Sequence, residues 1–521
     1  MIVERRRQRA TRGPPMEVFL LRKAALPEEF TAVDAVLPLT MTFADVDDLS
    51  VESLQSLYHN GTTTPSEVVG SVYARISKYV DKAVWITLIP ESDALTRAKR
   101  LESQYPDPSS RPSLYGIPFS VKDSIDIADL PTTLACPSYA YTASSTAPVV
   151  QRLLAAGGIL IGKTNLDQLA TGLNGTRSPY GIPRCVHDHE YISGGSSSGS
   201  VVSVAARLVS FTVSTDTAGS TRVPAALNGV VGLKPTLGTI STVGLVPACK
   251  TADSVCVIAP TIDSTLRAYE VMRGYDEDDV YARDPQQLAI LANQPVLLPR
   301  SGSSVGITYA LPPRELVDSV LSPEYASLYG RFLSRLQLER TFKLANEFDY
   351  SPFASANAML YGSSIVAQRI VAFKDYIDAH GYEKLHPVIQ DIFKASDGFT
   401  AVQAYQDIFE LAKYKRLAAK EFNSAIGVQN GGIDVLIVPS TATHPTVDEM
   451  LDDPIDLNKR LGSFSHFVNL LDLCAVAVPL KVHWTSKNGK KMPFSVTLIS
   501  MPGRDRDLLE LGRRIMEMRV D

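Results

Sequence analysis

Two short turns rich in glycine and serine hold the residues best suited to chemistry in this 521-residue chain. The first is Gly194-Gly195-Ser196-Ser197-Ser198-Gly199-Ser200, and the second is Asp216-Thr217-Ala218-Gly219-Ser220. Glycine in a turn answers a need for positive φ or for close approach of the backbone. Serines gathered in two such turns could be hydroxyls held for chemistry, although polar surface loops have the same composition. A lysine, Lys122, stands in LYGIPFSVKDSIDI (114–127), which reads as a strand leaving a Gly-Ile-Pro turn. A lysine among Ile, Phe and Val either points to water or is buried with a purpose.

The elements that must position these residues are legible in outline. Between the turns, Val201 to Val213 is apolar and free of Pro and Gly, and reads as a buried helix–strand pair. Upstream, 48–60 and 65–85 show helical spacing, with Thr64-Pro65 as a start signal. Asp93 to Gln104 reads as a helix capped by Ser92. Pro148 to Gly157 reads as a helix, Gly158 to Lys163 as a short buried strand, and Asn165 to Gly172 as the start of a further helix. Downstream come a strand at 230–236, a helix-rich region from Pro323 to about Ile426, strands at 434–439 and 493–499, an apolar stretch at 467–479, and a helix at 506–518. In the helix-rich region, PFASANAMLYGSSIVAQRIVAFKDYI reads as one continuous segment.

Three other patterns resemble chemical motifs and fail on context. Gly157 to Thr164 matches GxxxxGK[ST], but a helix precedes it and its variable positions read as strand rather than open loop. Gly195-Ser196-Ser197-Ser198-Gly199 matches GxSxG, but 188–192 is a poor strand and no strong Asp…His order follows. His187-Asp188-His189-Glu190 reads as a solvated loop, because adjacent ligands rarely converge on one ion.

Composition narrows the class. The net charge of −5 supplies no basic field for nucleic acid, and no apolar run reaches the roughly 18–20 residues needed to span a bilayer. Five scattered cysteines without a CxxC argue against a disulfide framework or thiolate zinc site, and for a reducing, cytoplasmic location. The start carries Arg5, Arg6, Arg7, Arg9 and Arg12 but lacks the apolar core of a secretory signal. Residues 1–45 read as a tail, poorly ordered at its start, and 46–521 as one large α/β domain with an N-terminal helical arm.

Taken together, GIPFSVKD, GGSSSGS and DTAGSTRVP resemble the amidase signature family of serine hydrolases, in the family's order and with Ser196 and Ser220 standing 24 positions apart. LPTTLACPSYAYT, ILIGKTNLDQLATGLNGTRSPYG and FVNLLDLCAVAVP are similar to the allophanate hydrolase branch, the amidase partner of urea carboxylase. The resemblance covers most of the chain and implies a central mixed β-sheet flanked by helices. It also implies that the C-terminal domain frequent in the branch is absent, since the chain stops at Asp521.

Carried over residue by residue, the resemblance makes Ser220 the nucleophile and Ser196, after a cis peptide bond, the bridge to Lys122. Gly194 and Gly195 ease that turn. Lysine can act as base when neutral, and burial lowers its pKa, though Asp123 and Asp126 would oppose the shift if close. The amides of Thr217, Ala218, Gly219 and Ser220 become candidate oxyanion donors, with Asp216 and Arg222 as buttresses. Ala218 replaces a glycine frequent in the wider family, although the branch also shows DTAGS.

Tyr361 and Arg369 match a Tyr-x7-Arg pair that would recognise a substrate carboxylate; the other reading of Arg369 is a solvated helix residue. Between them, GSSIVAQ departs from the branch's usual Gly-Pro-Trp-Val-Ala-Glu, which puts substrate identity in question. The expected activity is hydrolysis of a small carboxylated amide, allophanate first, with release of ammonia. The alternatives are an amidase of other specificity or the amidase subunit of an amidotransferase complex. The resemblance further implies a homodimer, a link to urea carboxylase, and no cofactor, metal, nucleic-acid or membrane partner.

Overall fold

Lys122 ends one strand and Asp216 ends the next, and the two strands run parallel side by side. The computed structural model describes residues 46–292, 306–422 and 432–520. The first strands are β1 (Trp85–Leu88), β2 (Pro118–Lys122), β3 (Pro131–Thr132), β4 (Tyr141–Thr142), β5 (Ile159–Thr164) and β6 (Phe211–Asp216). They are followed by β7 (Val231–Lys234), β8 (Ser254–Ala259), β9 (Ile307–Ala310), β10 (Phe342–Leu344), β11 (Val435–Pro439), β12 (Cys474–Thr485) and β13 (Lys491–Ser500).

Among the described residues, eleven strands form one mixed sheet in the order β1-β5-β2-β6-β8-β7-β12-β13-β11-β9-β10, while β3 and β4 make a small separate ribbon. β2 is parallel to both β5 and β6, with Phe119 opposite Phe211 and Val121 opposite Val213. The two phenylalanine rings stack at 5.5 Å. All residues of β2, β5 and β6 are buried, as parallel strands covered on both faces require. β6 runs two residues past the end of β2, so Thr215 and Asp216 stand just beyond Lys122 at the carboxyl ends of the strands, where an α/β sheet places ligands and reactive groups.

The expected buried pair between the two turns is the helix Ser198–Ala205 followed by β6. The helices Val51–His59 and Pro65–Lys78 form as expected; Thr64 and Glu67 make a reciprocal capping box at the second. Several local readings are corrected. The second helix stops at Lys78, because Asp81 caps a 3-10 turn at Lys82–Val84 and Trp85 then joins the sheet edge beside β5. The next helix starts at Glu91 after Pro90, and Ser92 gives no cap.

Asn165 to Gly172 forms no α-helix, only a distorted 3-10 turn at Gln168–Ala170. The Asn165 side chain donates to the carbonyls of Ala83 and Gly181 and accepts from the Leu166 amide, and Leu169 and Ala170 are left-handed. Local side-chain bonds of this kind compete with helix formation. The segment expected to be continuous around Tyr361 is also broken. Ser351–Gly362 ends at Ser363, a 3-10 turn spans Ser364–Ala367, and Gln368–His380 follows. The helix Pro387–Ser396 is an addition to the sequence reading. The expected tail, residues 1–45, lies outside the described residues.

Candidate active site

Lys122 is fully buried at the end of β2, and its Nζ donates to Ser196 Oγ and to Thr215 Oγ1, each at 2.8 Å. Burial pushes its pKa down to about 7, against the opposing charges of Asp167 and Asp216. Asp123, the neighbour expected to matter, instead faces Lys163, whose Nζ lies 2.9 Å from Asp123 Oδ1. Lys163 is the lysine of the phosphate-loop look-alike. It is a buried strand residue that also donates to the Pro131 carbonyl and Thr132 Oγ1.

The first glycine–serine turn is shaped by close contacts. The Gly195–Ser196 peptide bond is cis, and Gly194 has φ +75°. A Cβ on Gly195 would lie 2.3 Å from Asp167 Oδ2. Asp167 accepts the amides of Asn174, Gly175 and Arg177, and its own amide donates to the Ser196 carbonyl at 3.1 Å. The turn thus packs on a carboxylate that backbone amides hold in place. Ser197 N–H donates to the Ser220 carbonyl at 3.3 Å, which brings the two turns together.

The second turn is held by Asp216. Its oxygens accept Arg222 Nε at 2.9 Å and Nη2 at 2.8 Å, a forked, fully buried pair. They also accept the amides of Gly219 at 2.8 Å and Thr221 at 3.2 Å. Burial raises the Asp216 pKa, but Arg222 and the amide donors outweigh it and hold the carboxylate below its usual range. Of the four expected oxyanion amides, that of Gly219 is therefore already engaged by Asp216. Ser220 is 3% exposed. Thr217 Oγ1 donates to Asp253, which in turn accepts the amides of Ala248 and Cys249.

Tyr361 and Arg369 lie together. In a continuous helix, residues eight apart are separated by about 12 Å along the axis. The break after Gly362 instead sets the Arg369 guanidinium 5.7 Å from the centre of the Tyr361 ring. Arg369 is 2% exposed, so the solvated-helix reading is wrong. Its Nη1 donates to Thr171 Oγ1 at 2.8 Å. Tyr361 packs edge-to-face on His466 at 5.3 Å, and the preceding residue, Ser465, donates its hydroxyl to the Ala218 carbonyl. Burial lowers the His466 pKa to about 3, so the ring is neutral. Tyr361 also lines a cavity of about 270 Å³.

The amidase family model matches residues 67–509. The chain belongs to the amidase family. Its relatives include the urea amidolyase of Saccharomyces cerevisiae, 37% identical over 444 residues, which are 84% of this chain and 22% of that protein. A glutamyl-tRNA(Gln) amidotransferase subunit of Symbiobacterium thermophilum is 30% identical over 89% of this chain and 95% of that protein. The solved allophanate hydrolase of Kluyveromyces lactis is 33% identical with TM-score 0.76, covering 91% of this chain and 75% of that one. The chain spans less than a third of the length of the urea amidolyases it matches. It is an amide C–N hydrolase of mixed α/β fold, similar to the allophanate hydrolases. No helix among the described residues is long and apolar enough to cross a membrane.

Sequence reasoning missed Thr215, Asp167, Asp253, Ser465 and Asn469. Thr215 carried a signal, since it stands on the strand beside Lys122. Ser465 and Asn469 carried none, because they reach Asp216 and Arg222 from some 250 positions away. Asp188, expected in a solvated loop, is buried and accepts from Ser486 and Asn488.

Proposed function

We propose that this enzyme hydrolyses a small carboxylated amide, allophanate first, through an acyl-enzyme on Ser220. The observation that carries the reading is the buried Lys122 amine 2.8 Å from Ser196 Oγ, with a pKa brought down to about 7. A neutral amine accepts a proton near pH 7, and a serine hydroxyl needs such a base. The Ser220 proton passes to Ser196 Oγ as the Ser196 proton passes to Lys122 Nζ. Ser220 Oγ then attacks the amide carbon.

The oxyanion so formed is met by backbone amides of the Thr217–Ser220 turn, those of Thr217, Ala218 and Ser220 being free of the Asp216 contact that takes Gly219. The C–N bond breaks as the proton returns along the relay to the leaving nitrogen. Water, deprotonated by the same relay, hydrolyses the acyl-enzyme. Tyr361 and Arg369 hold the carboxylate end, the Arg369 guanidinium being buried where a planar anion gains most from it.

Support for allophanate comes from similarity to the urea amidolyases and to the solved allophanate hydrolase. A homodimer, a functional link to a urea carboxylase and a cytoplasmic location belong to the same reading. The test is ammonia release from allophanate, malonamate and simple neutral amides. Allophanate is expected to be preferred, with release abolished in Ser220→Ala. Equal rates on neutral amides, or full activity of the variant, overturn the reading.

Similarity to an amidotransferase component over nearly its whole length favours a second reading, in which the chain works inside a complex. Activity of the purified chain alone on a free small amide decides against it.

A further inference from the structure

We propose that Arg177 is a second guanidinium of the substrate-carboxylate subsite and sets the preference for an anionic amide together with Arg369. This rests on the reading above that the substrate carries a carboxylate. Arg177 and Arg369 are each 2% exposed. They meet at one residue: Arg177 Nη1 donates to the Thr171 carbonyl at 3.0 Å, and Arg369 Nη1 donates to Thr171 Oγ1 at 2.8 Å. Among the described residues, no carboxylate lies within ion-pair distance of either guanidinium. The nearby Asp167 carboxylate is occupied by three backbone amides. Two buried guanidiniums thus meet at one residue, and among the described residues neither has a carboxylate in contact.

Buried cations are normally paired, because leaving water without a counter-charge is costly. The other Arg177 contact, Nη2 to the Pro454 carbonyl at 2.7 Å, supplies no charge. Its Nε is buried without any partner, an N–H held in reserve for an acceptor. Arg177 lines the same cavity as Tyr361; the rest of the wall includes the apolar Val366, Val388 and Ile392, and its other charged residues, Asp391 and Lys459, are exposed to solvent. In such surroundings a carboxylate is held more strongly than in water.

The subsite is also wired to the reacting turn. The Arg177 amide donates to Asp167 Oδ1, and the Asp167 amide donates to the Ser196 carbonyl. The occupant that supplies both the missing charge and the missing acceptor is the carboxylate of the amide being cleaved.

Malonamate and malonamide form a matched pair that differs only in the carboxylate. The measurement is the ratio of kcat/KM on the two for wild type, Arg177→Met and Arg177→Lys. The expected result is a wild-type preference for malonamate that falls about 10–100-fold in Arg177→Met, through KM, with Arg177→Lys in between. A purely structural Arg177 lowers both activities in parallel, and an unchanged ratio overturns this inference while leaving the carboxylate reading in place. If Arg177→Met does not fold, the ratio in Arg177→Lys decides alone, and its equality with wild type overturns the proposal. A wild type indifferent between the two amides overturns the carboxylate reading itself, and this inference with it.

Discussion

The Ser465 hydroxyl donates to the Ala218 carbonyl at 2.6 Å, fastening the Ser220 turn to a segment nearly 250 positions away. The same segment receives Arg222 Nη2 on the Ser465 carbonyl and on Asn469 Oδ1. Gly219 lies inside this clasp with φ +122°, and a Cβ there would stand 2.4 Å from Ser465 Oγ. A side chain at 219 must therefore displace Ser465 and adopt a backbone conformation that L-residues avoid.

Gly219→Ala is expected to lower kcat by at least about 100-fold, since a displacement near 1 Å at a reacting group costs that much. Steady-state kinetics check it. Activity within a few-fold of wild type means that the turn is not held as described.

The Asp216–Arg222 pair gives a stability prediction. Both side chains are buried, and the carboxylate also orders the Gly219 and Thr221 amides. Removing one partner leaves the other charge buried and unpaired, which costs about 3–5 kcal/mol. Arg222→Met is expected to destabilise by that amount in urea unfolding, and Asp216→Asn by at least as much, because each carboxylate oxygen accepts from Arg222 and from a backbone amide, and an NH2 in place of either oxygen meets only donors. Equal and small effects from the two would mean that solvent reaches the pair.

The parts legible in the sequence were those with local signatures. The strand ending at Lys122 announced itself by its apolar run, and the turns at 194–200 and 216–220 by their glycines and serines. The strand–strand adjacency that sets Thr215 beside Lys122 has no such signature, because parallel register is decided by residues far apart. The break between Tyr361 and Arg369 was hidden for a related reason. Gly362-Ser363-Ser364 is a short polar interruption between two apolar helical runs, and the turn there is held by Ser364 donating to Asp407, 43 positions downstream. Lys163 was legible as part of a buried strand, but its pairing with Asp123 was not. An aspartate beside Lys122 looks like its partner, and only alternation along the strands turns the two side chains to opposite faces.

Lys122 makes two pH predictions of opposite use. As a base it must be neutral, so kcat/KM is expected to rise with pH and level off above an apparent pKa of about 7. In the unfolded chain the amine keeps its ordinary value near 10.4. Between about pH 7 and that value the unfolded state holds more protons, so this group's unfavourable effect on stability diminishes as pH rises. Lys122→Met is therefore expected to be inactive yet more stable than wild type below pH 7, with its advantage shrinking towards pH 10. Chemical unfolding of both proteins at several pH values measures the difference. A constant difference means that the amine is no more desolvated in the folded chain than outside it.

Lys122, Ser196 and Ser220 are expected to behave as one device rather than three. The relay needs every link, so breaking it once removes most of what it contributes. Lys122→Ala and Ser220→Ala are each expected to lower kcat by about 10³-fold or more, and the double variant to lose little beyond the worse single. Ser196→Ala leaves the Ser220 hydroxyl present and the lysine one atom short of it, so slow acylation through water remains. Slow ammonia release is then expected to persist in Ser196→Ala and to vanish in Ser220→Ala. If the losses from Lys122→Ala and Ser196→Ala instead multiply in their double variant, the two residues act independently. The 2.8 Å contact between them would then be packing and not a proton path.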